Sequence, residues 1–192
     1  MKIVWLGKSS FKIVLNKKTI LFDADENVSE SDYVFSSFSD YENSVYNLFS
    51  KSCEFSDDDI KASQFFEDSK NHCIFKVETE GVKMVHFGHM LFKPSKTLLK
   101  KLGAVDIAFI CVGKEGMDKN ITRDIMDAIG ANLIIPMNYL KDNSVDKQLG
   151  TLSSFLKSIK GKYDYSFVAS SYFETSKNEL KKRTRVIVMD DK

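Results

Sequence analysis

Two carboxylates follow a predicted strand in a short polar loop. Residues 31–43 read S-D-Y-V-F-S-S-F-S-D-Y-E-N, in which Y-V-F predicts a strand and Asp40 and Glu42 follow it. Zinc takes neutral imidazole and carboxylate ligands, but this stretch contains no histidine. The loop therefore lacks the ligands of a zinc site, although its carboxylates are of the kind that oxygen-preferring cations bind.

The chain has three histidines, and their spacing does not define a metal motif. His72 is predicted at the start of a hairpin strand, on the surface or at the strand end. His86 and His89 are three residues apart on a strand-to-turn segment, where that spacing need not place two side chains on one face. A ligand set of Asp40, Glu42 and His89 for a hard cation stays open, beside the reading that these are residual polar groups.

Nucleophilic side chains are present without a clear catalytic order. No Ser-His-Asp order stands out, and a serine nucleophile is not favoured but stays open. Cys111 lies in an apolar run and is predicted to be core. Three widely spaced cysteines without a CxxC pair indicate reduced thiols and a cytoplasmic protein. The serines in question are Ser9, Ser36, Ser37 and Ser39.

Hydrophobic periodicity predicts strands interleaved with helices. Strands are predicted over residues 2–6, 11–15, 19–22, 33–36, 74–77, 82–87, 105–112, 133–136, 167–170 and 185–189. Helices are predicted over residues 45–49, 96–102, 121–129 and 152–159, and residues 52–70 are predicted to be a surface loop or a short helix. This pattern is typical of layered α/β or α+β proteins whose sheets are covered by helices.

Composition is that of one ordinary globular domain. The 192 residues are 43% hydrophobic and 29% charged, and the net charge is +1. A charge so close to neutral does not favour nucleic acid or an anionic membrane as a partner. No apolar run reaches the ~18 residues of a membrane span, and the N-terminus lacks the pattern of a signal peptide.

Several short blocks resemble the small bacterial metallo-β-lactamase-fold hydrolases related to ascorbate-6-phosphate lactonase. The blocks are W-L-G-K-S-S-F from residue 5, I-L-F-D from 20, V-H-F-G-H from 85, I-C-V-G from 110 and I-I-P-M-N-Y from 134. This resemblance implies an αββα sandwich of two mixed sheets flanked by helices, formed by a single domain over residues 1–192. It also implies two zinc or manganese ions that activate a hydroxide against an ester, lactone, amide or phosphodiester.

The chain departs from the resembling family at nearly every position that would bind metal. The family's opening histidine is Lys8, and the first histidine pair is replaced by Phe38 and Asp40. A further histidine falls near Phe66, where the sequences align poorly. The remaining replacements are Glu42 and Asn43 for an Asp-His pair, His89 for the bridging aspartate and Asn138 for the last histidine.

The lost ligands predict a metallo-β-lactamase-fold protein without zinc. Such a protein would be catalytically silent and act by binding a protein partner or a small ligand, with no cofactor. The alternatives are a hydrolase of esters, lactones or phosphodiesters with an altered metal site, and a structural subunit that pairs with copies of itself or an active relative.

Lys8 is a candidate substitute for the missing metal charge. Carboxylates that once faced two dications need a counter-charge, because like charges at short range raise one another's pKa. We therefore predict that the Lys8 ammonium pairs with Asp23, Asp40 or Glu42, and that Phe38 and Phe66 fill the remaining volume. An exposed Lys8 at a turn is the alternative.

Overall fold

The computed structural model describes residues 1–23, 31–37, 54–66, 73–90, 92–113, 119–139, 151–180 and 183–190. These residues form thirteen strands and three α-helices. The strands are β1 (Lys2–Gly7), β2 (Ser10–Val14), β3 (Thr19–Phe22), β4 (Tyr33–Phe35), β5 (Glu54–Ser56), β6 (Ile60–Phe66), β7 (Cys73–Thr79), β8 (Val82–His86), β9 (Ile107–Cys111), β10 (Leu133–Met137), β11 (Asp164–Val168), β12 (Tyr172–Glu174) and β13 (Arg185–Met189). The helices are α1 (Lys96–Leu102), α2 (Lys119–Ile129) and α3 (Leu152–Ile159).

The strands form two mixed sheets. The first has the order β12-β1-β2-β3-β4 and is antiparallel except for the β3–β4 pair. The second has the order β11-β13-β10-β9-β8-β7-β6-β5, parallel from β11 to β8 and antiparallel from there to β5. The predicted sandwich of two mixed sheets with helices is confirmed.

Aromatic side chains join the two sheets. The rings of Phe11 on β2 and Phe109 on β9 have centroids 4.6 Å apart, and those of Phe35 on β4 and Phe75 on β7 are 5.4 Å apart. All five residues of β9 and of β10 are buried, as expected of strands covered on both faces. One continuous apolar cluster runs through both sheets and the helices.

The helices begin and end at the capping residues that their sequences contain. The Ser95 hydroxyl accepts the Leu98 N–H at the start of α1, and Gly103 follows its last residue with φ +60°. The Thr151 hydroxyl caps α3 by accepting the Ser154 N–H. None of the helices in the described part of the chain has the length and apolar character needed to span a bilayer.

Two expectations from the sequence are wrong, and one strand was not predicted. Much of the 52–70 stretch is strand, because β5 and β6 extend the antiparallel half of the second sheet. The resemblance also led us to expect that the segments 85–89 and 105–112 join the two sheets. They do not, because β8 and β9 are central neighbours within one sheet. The short strand β12, which pairs with β1, was not foreseen. The helix expected over residues 45–49 lies outside the described residues.

Candidate functional site

Polar side chains from several strand ends meet at one edge of the sandwich. Lys8 and Ser9 form the turn between β1 and β2, and Asp23 directly follows β3. From the second sheet, His89 follows β8 and Asn138 follows β10. Hydrogen bonds between these segments hold them in one cluster. This is the edge at which the resemblance expected a metal site.

The backbone at this edge is in an unusual conformation. Lys8, Asp23 and Asn138 have φ of +48°, +47° and +53°, the left-handed region that L-residues other than glycine rarely adopt. The other described non-glycine residue with positive φ, Glu80, lies in the hairpin turn between β7 and β8. Such strain persists only where the surrounding structure determines it, and it concentrates at functional sites.

Asp23 is a buried carboxylate held by the end of β4. Its Oδ1 accepts the Ser37 N–H at 2.6 Å, and its Oδ2 accepts the Ser37 hydroxyl at 2.8 Å. Burial acts to raise the pKa of Asp23, but hydrogen bonds from His89 and Ser37 and the nearby imidazoles outweigh it. The pKa therefore lies below its ordinary value of 3.8, and the group is ionised.

His86 is fully buried and holds the backbone of the β1–β2 turn. Its Nε2 donates to the Ser9 carbonyl at 2.9 Å, and its Nδ1 accepts the Gly88 N–H at 3.2 Å. The ring stacks on Phe22 with planes 3° apart. Burial lowers the pKa of His86, partly opposed by the charge of Asp23 4.0 Å away, so the imidazole is neutral.

His89 lies between a serine and the buried carboxylate. Its Nε2 is 3.1 Å from the Ser9 Oγ, and its Nδ1 is 3.5 Å from the Asp23 Oδ2. The Ser37 Oγ is also 3.3 Å from Nδ1. The side chain is 16% exposed, so solvent reaches it at the mouth of the site.

Gly88 allows the turn after β8 to pack directly on the end of β4. A Cβ built at this position would lie 2.6 Å from the Ser37 Cβ, and the glycine φ is +55°. Behind it, the Cys111 thiol donates to the Gly88 carbonyl at 3.3 Å and the Asn138 amide donates to the Cys111 Sγ at 3.0 Å. The turn after β8, which carries His89, is thus packed between the second sheet and the residues Asp23 and Ser37.

Only some of the site residues predicted from the sequence lie together at this edge. Asp23, His89 and the Asn138 backbone lie at the common edge, whereas Phe66 is a half-buried residue of β6 packed on the core. Lys8 is exposed, and within the described ranges no carboxylate pairs with it. The predicted Lys8–Asp23 pair is therefore wrong, because Ser37 and His89 hold Asp23 instead. Phe38, Asp40, Glu42 and Asn43 lie outside the described residues.

Two contributors were not singled out from the sequence. Ser9 and Ser37 were noted only as serines without a catalytic order, yet each contacts His89. A weak signal was present: Ser9 follows Lys8 in the W-L-G-K-S-S-F block, and Ser37 follows a predicted strand, as Asp23 does. Their convergence depends on strand order across two sheets, which spacing along the chain does not contain.

The described residues do not fit a two-zinc site. No group of three or more His, Cys, Asp or Glu side chains able to hold a metal occurs among them. The Nε2 of His86 is a donor and therefore has no lone pair for a metal. Asn138 directs its amide nitrogen at Cys111, and Phe66 has no donor atom.

Comparison with known proteins identifies the family. Residues 25–138 match the model of the beta-lactamase superfamily domain, so the chain belongs to this superfamily. No curated protein matches the chain significantly. The fold neighbours below are too distant in sequence to show more than the fold.

Among solved structures, a metallo-β-lactamase superfamily protein from Thermotoga maritima has a TM-score of 0.81 at 22% identity, with 98% of each chain covered. An isothiocyanate hydrolase from Delia radicum gut bacteria has a TM-score of 0.63 at 10% identity, covering 100% of this chain and 97% of its own. The metallo-β-lactamase fold protein YhfI from Bacillus subtilis has a TM-score of 0.57 at 8% identity, covering 98% and 96%.

Proposed function

We propose that this chain is a metallo-β-lactamase-fold protein that has lost its zinc site and acts by binding a ligand in the former metal cleft. The observation that carries the proposal is the position of His89. It stands where the resembling family has a bridging aspartate, and both of its ring nitrogens lie near protein partners, Ser9 on one side and Asp23 on the other.

The chemistry of the neighbouring positions supports this proposal. A bridging carboxylate offers two anionic oxygens to two dications, whereas an imidazole offers at most one lone pair. The buried Asp23 needs no metal to balance it, because Ser37 donates to both of its oxygens. Asn138 replaces an imidazole ligand by an amide, whose nitrogen donates to Cys111 Sγ.

Metal content is the direct test. Protein purified without added metal and dialysed against a chelator should hold far less than one zinc per chain, and titration with Zn²⁺ should give no tight saturable site. Ester, lactone and phosphodiester hydrolysis should not increase with added Zn²⁺ or Mn²⁺.

A matched pair of variants distinguishes zinc bound at a specific site from zinc bound nonspecifically. One or more zinc ions per chain that are lost in His89→Ala but retained in His72→Ala would contradict the proposal. That result would support the alternative in which Asp40, Glu42 and His89 bind an ion and the chain is a hydrolase with an altered metal site. Metal lost equally in both variants is nonspecific.

A further inference from the structure

Three side chains at this edge of the sandwich are arranged in the order of a nucleophile, a base and an acid. The Ser9 Oγ is 3.1 Å from His89 Nε2, and His89 Nδ1 is 3.5 Å from Asp23 Oδ2. Ser9 and Asp23 lie at strand ends of the first sheet, and His89 lies at a strand end of the second. No single stretch of sequence therefore contains the group. An activated serine requires this connection, a base in contact with the hydroxyl and a third group that orients the base.

The hydrogen-bond pattern selects the tautomer that a base needs. The Ser37 hydroxyl gives its proton to Asp23 Oδ2, so its oxygen accepts from His89 Nδ1 at 3.3 Å, and Nδ1 therefore carries the ring proton beside the Asp23 carboxylate. Nε2 then presents its lone pair to the Ser9 hydroxyl 3.1 Å away. Ser37 reinforces the arrangement, because its hydroxyl contacts both Asp23 Oδ2 and His89 Nδ1.

The backbone of Ser9 is held independently of its side chain. Its carbonyl accepts from the neutral, fully buried His86, and the preceding residue, Lys8, is in the left-handed region. The Lys8 carbonyl in turn accepts from the Trp5 indole and from the Asn138 N–H. These contacts fix the backbone that carries the Ser9 side chain, and His89 is the contact of its hydroxyl.

From this geometry we infer that Ser9 is a nucleophile that accepts the acyl group of a carboxylic ester, with His89 as the base and Asp23 as the positioning residue. The inference rests on the proposed loss of zinc, since it gives the same cleft a chemistry that needs no metal. It also specifies the ligand: a neutral ester suits a site whose buried charge is the carboxylate of Asp23, which would repel an anionic phosphodiester.

The reaction balances with water as the only co-substrate. The Ser9 Oγ forms a bond to the carbonyl carbon while its proton passes to His89 Nε2. The carbon–oxygen bond to the alcohol then breaks, and the alcohol leaves with that proton. In the second half, water gives a proton to Nε2 and attacks the acyl-serine, and the Ser9 Oγ leaves with the proton to regenerate the hydroxyl.

The experiment uses a fluorophosphonate probe and p-nitrophenyl acetate on the full chain in the presence of a chelator. We expect one phosphonyl adduct per chain, mapped by peptide mass spectrometry to Ser9, and an early release of p-nitrophenolate before slower turnover. His89→Gln should slow acylation by about 100-fold or more, because glutamine can hydrogen-bond to Ser9 but cannot take its proton.

The neighbouring serine provides a matched control. Ser9 and Ser10 are both buried, with 3% and 8% of their surface exposed, but only the Ser9 hydroxyl contacts His89. The Ser10 hydroxyl has no hydrogen-bond partner within the described part of the chain. Ser9→Ala should abolish the adduct, and Ser10→Ala should retain it, with thermal melts confirming that both variants fold. If Ser9→Ala does not fold, the mapped position of the adduct in the unsubstituted chain decides.

The outcomes separate this inference from the proposed function. No adduct, an adduct on another residue, or an unchanged rate in His89→Gln would overturn the nucleophile and leave the loss of zinc standing. Zinc retained through the chelator would overturn the proposed function, whether or not Ser9 is labelled.

Discussion

The backbone N–H of Asn138 donates to the carbonyl of Lys8 at 3.2 Å, and both residues have left-handed φ angles. This bond connects the end of β10 in the second sheet to the β1–β2 turn of the first. The resemblance drawn from the sequence matches both positions to histidines. Here the backbone of the two residues, rather than their side chains, ties the two sheets together beside Ser9.

The strain at Lys8 can be measured by substitution. Lys8→Gly should leave the free energy of unfolding unchanged or raise it by up to about 1 kcal/mol, because glycine adopts positive φ without steric cost. Lys8→Val should lower it by about 1–2 kcal/mol, since a β-branched residue fits this region poorly. Urea unfolding monitored by circular dichroism is the measurement.

The same series tests whether the Lys8 charge matters. The exposed ammonium has no carboxylate partner in the described ranges, so its loss should cost little. Glu80→Gly is the matched control, because Glu80 has the same φ of +48° in a turn away from the site. A loss of several kcal/mol in Lys8→Gly but not in Glu80→Gly would mean that Lys8 has a charged partner after all.

Gly88→Ala should be strongly destabilising. Its new methyl group would lie 2.6 Å from the Ser37 Cβ and 2.9 Å from the Cys73 carbonyl, and the φ of +55° adds backbone strain. Gly130→Ala is the control, since Gly130 has the same φ with open space around it. We expect Gly88→Ala to lose about 1–3 kcal/mol more than Gly130→Ala in urea unfolding. Equal losses would show that the turn does not pack against Ser37 as described.

Stability should decrease on acidification in two stages. The pKa of His86 is lowered from 6.5 by burial and that of Asp23 is lowered from 3.8, so in both cases the unfolded chain binds more protons than the folded one as pH falls. The free energy of unfolding should therefore be greatest above pH 6.5, decrease below it through His86, and decrease further below 3.8 through Asp23.

Urea unfolding across this pH range checks the expectation, with imidazole NMR as the site-specific readout. The His86 ring should stay neutral in the folded protein at pH values where a free histidine is protonated. A folded-state titration of His86 at or above 6.5, with no loss of stability below that pH, would contradict it.

Cys73 should be unreactive in the folded protein. Burial raises the pKa of its thiol to about 12, so almost no thiolate forms near neutral pH. Iodoacetamide at pH about 8 should modify this residue only after unfolding in urea, as followed by peptide mass spectrometry. Rapid alkylation of Cys73 in the native chain would contradict this expectation, because it would mean that the first residue of β7 is accessible to the reagent.

The periodic parts of the sequence predicted the fold well. The helix at 96–102, its Ser95 cap and the strands at 133 and 185 were predicted correctly because each depends on local spacing and capping chemistry. The 52–70 stretch was misread because its polar residues obscured an alternation that becomes clear only when β6 pairs with β7. The resemblance, rather than periodicity, supplied the sandwich.

By itself, the sequence determined the superfamily, since that depends only on which residues occupy which positions. Only the tertiary structure decided what His89 contacts. Ser9, Asp23 and His89 are separated by up to 80 residues, and their convergence depends on strand order and on the left-handed turns that end β1 and β3. Hydrogen bonds act over about 3 Å, so a group of this kind exists only once the two sheets have packed.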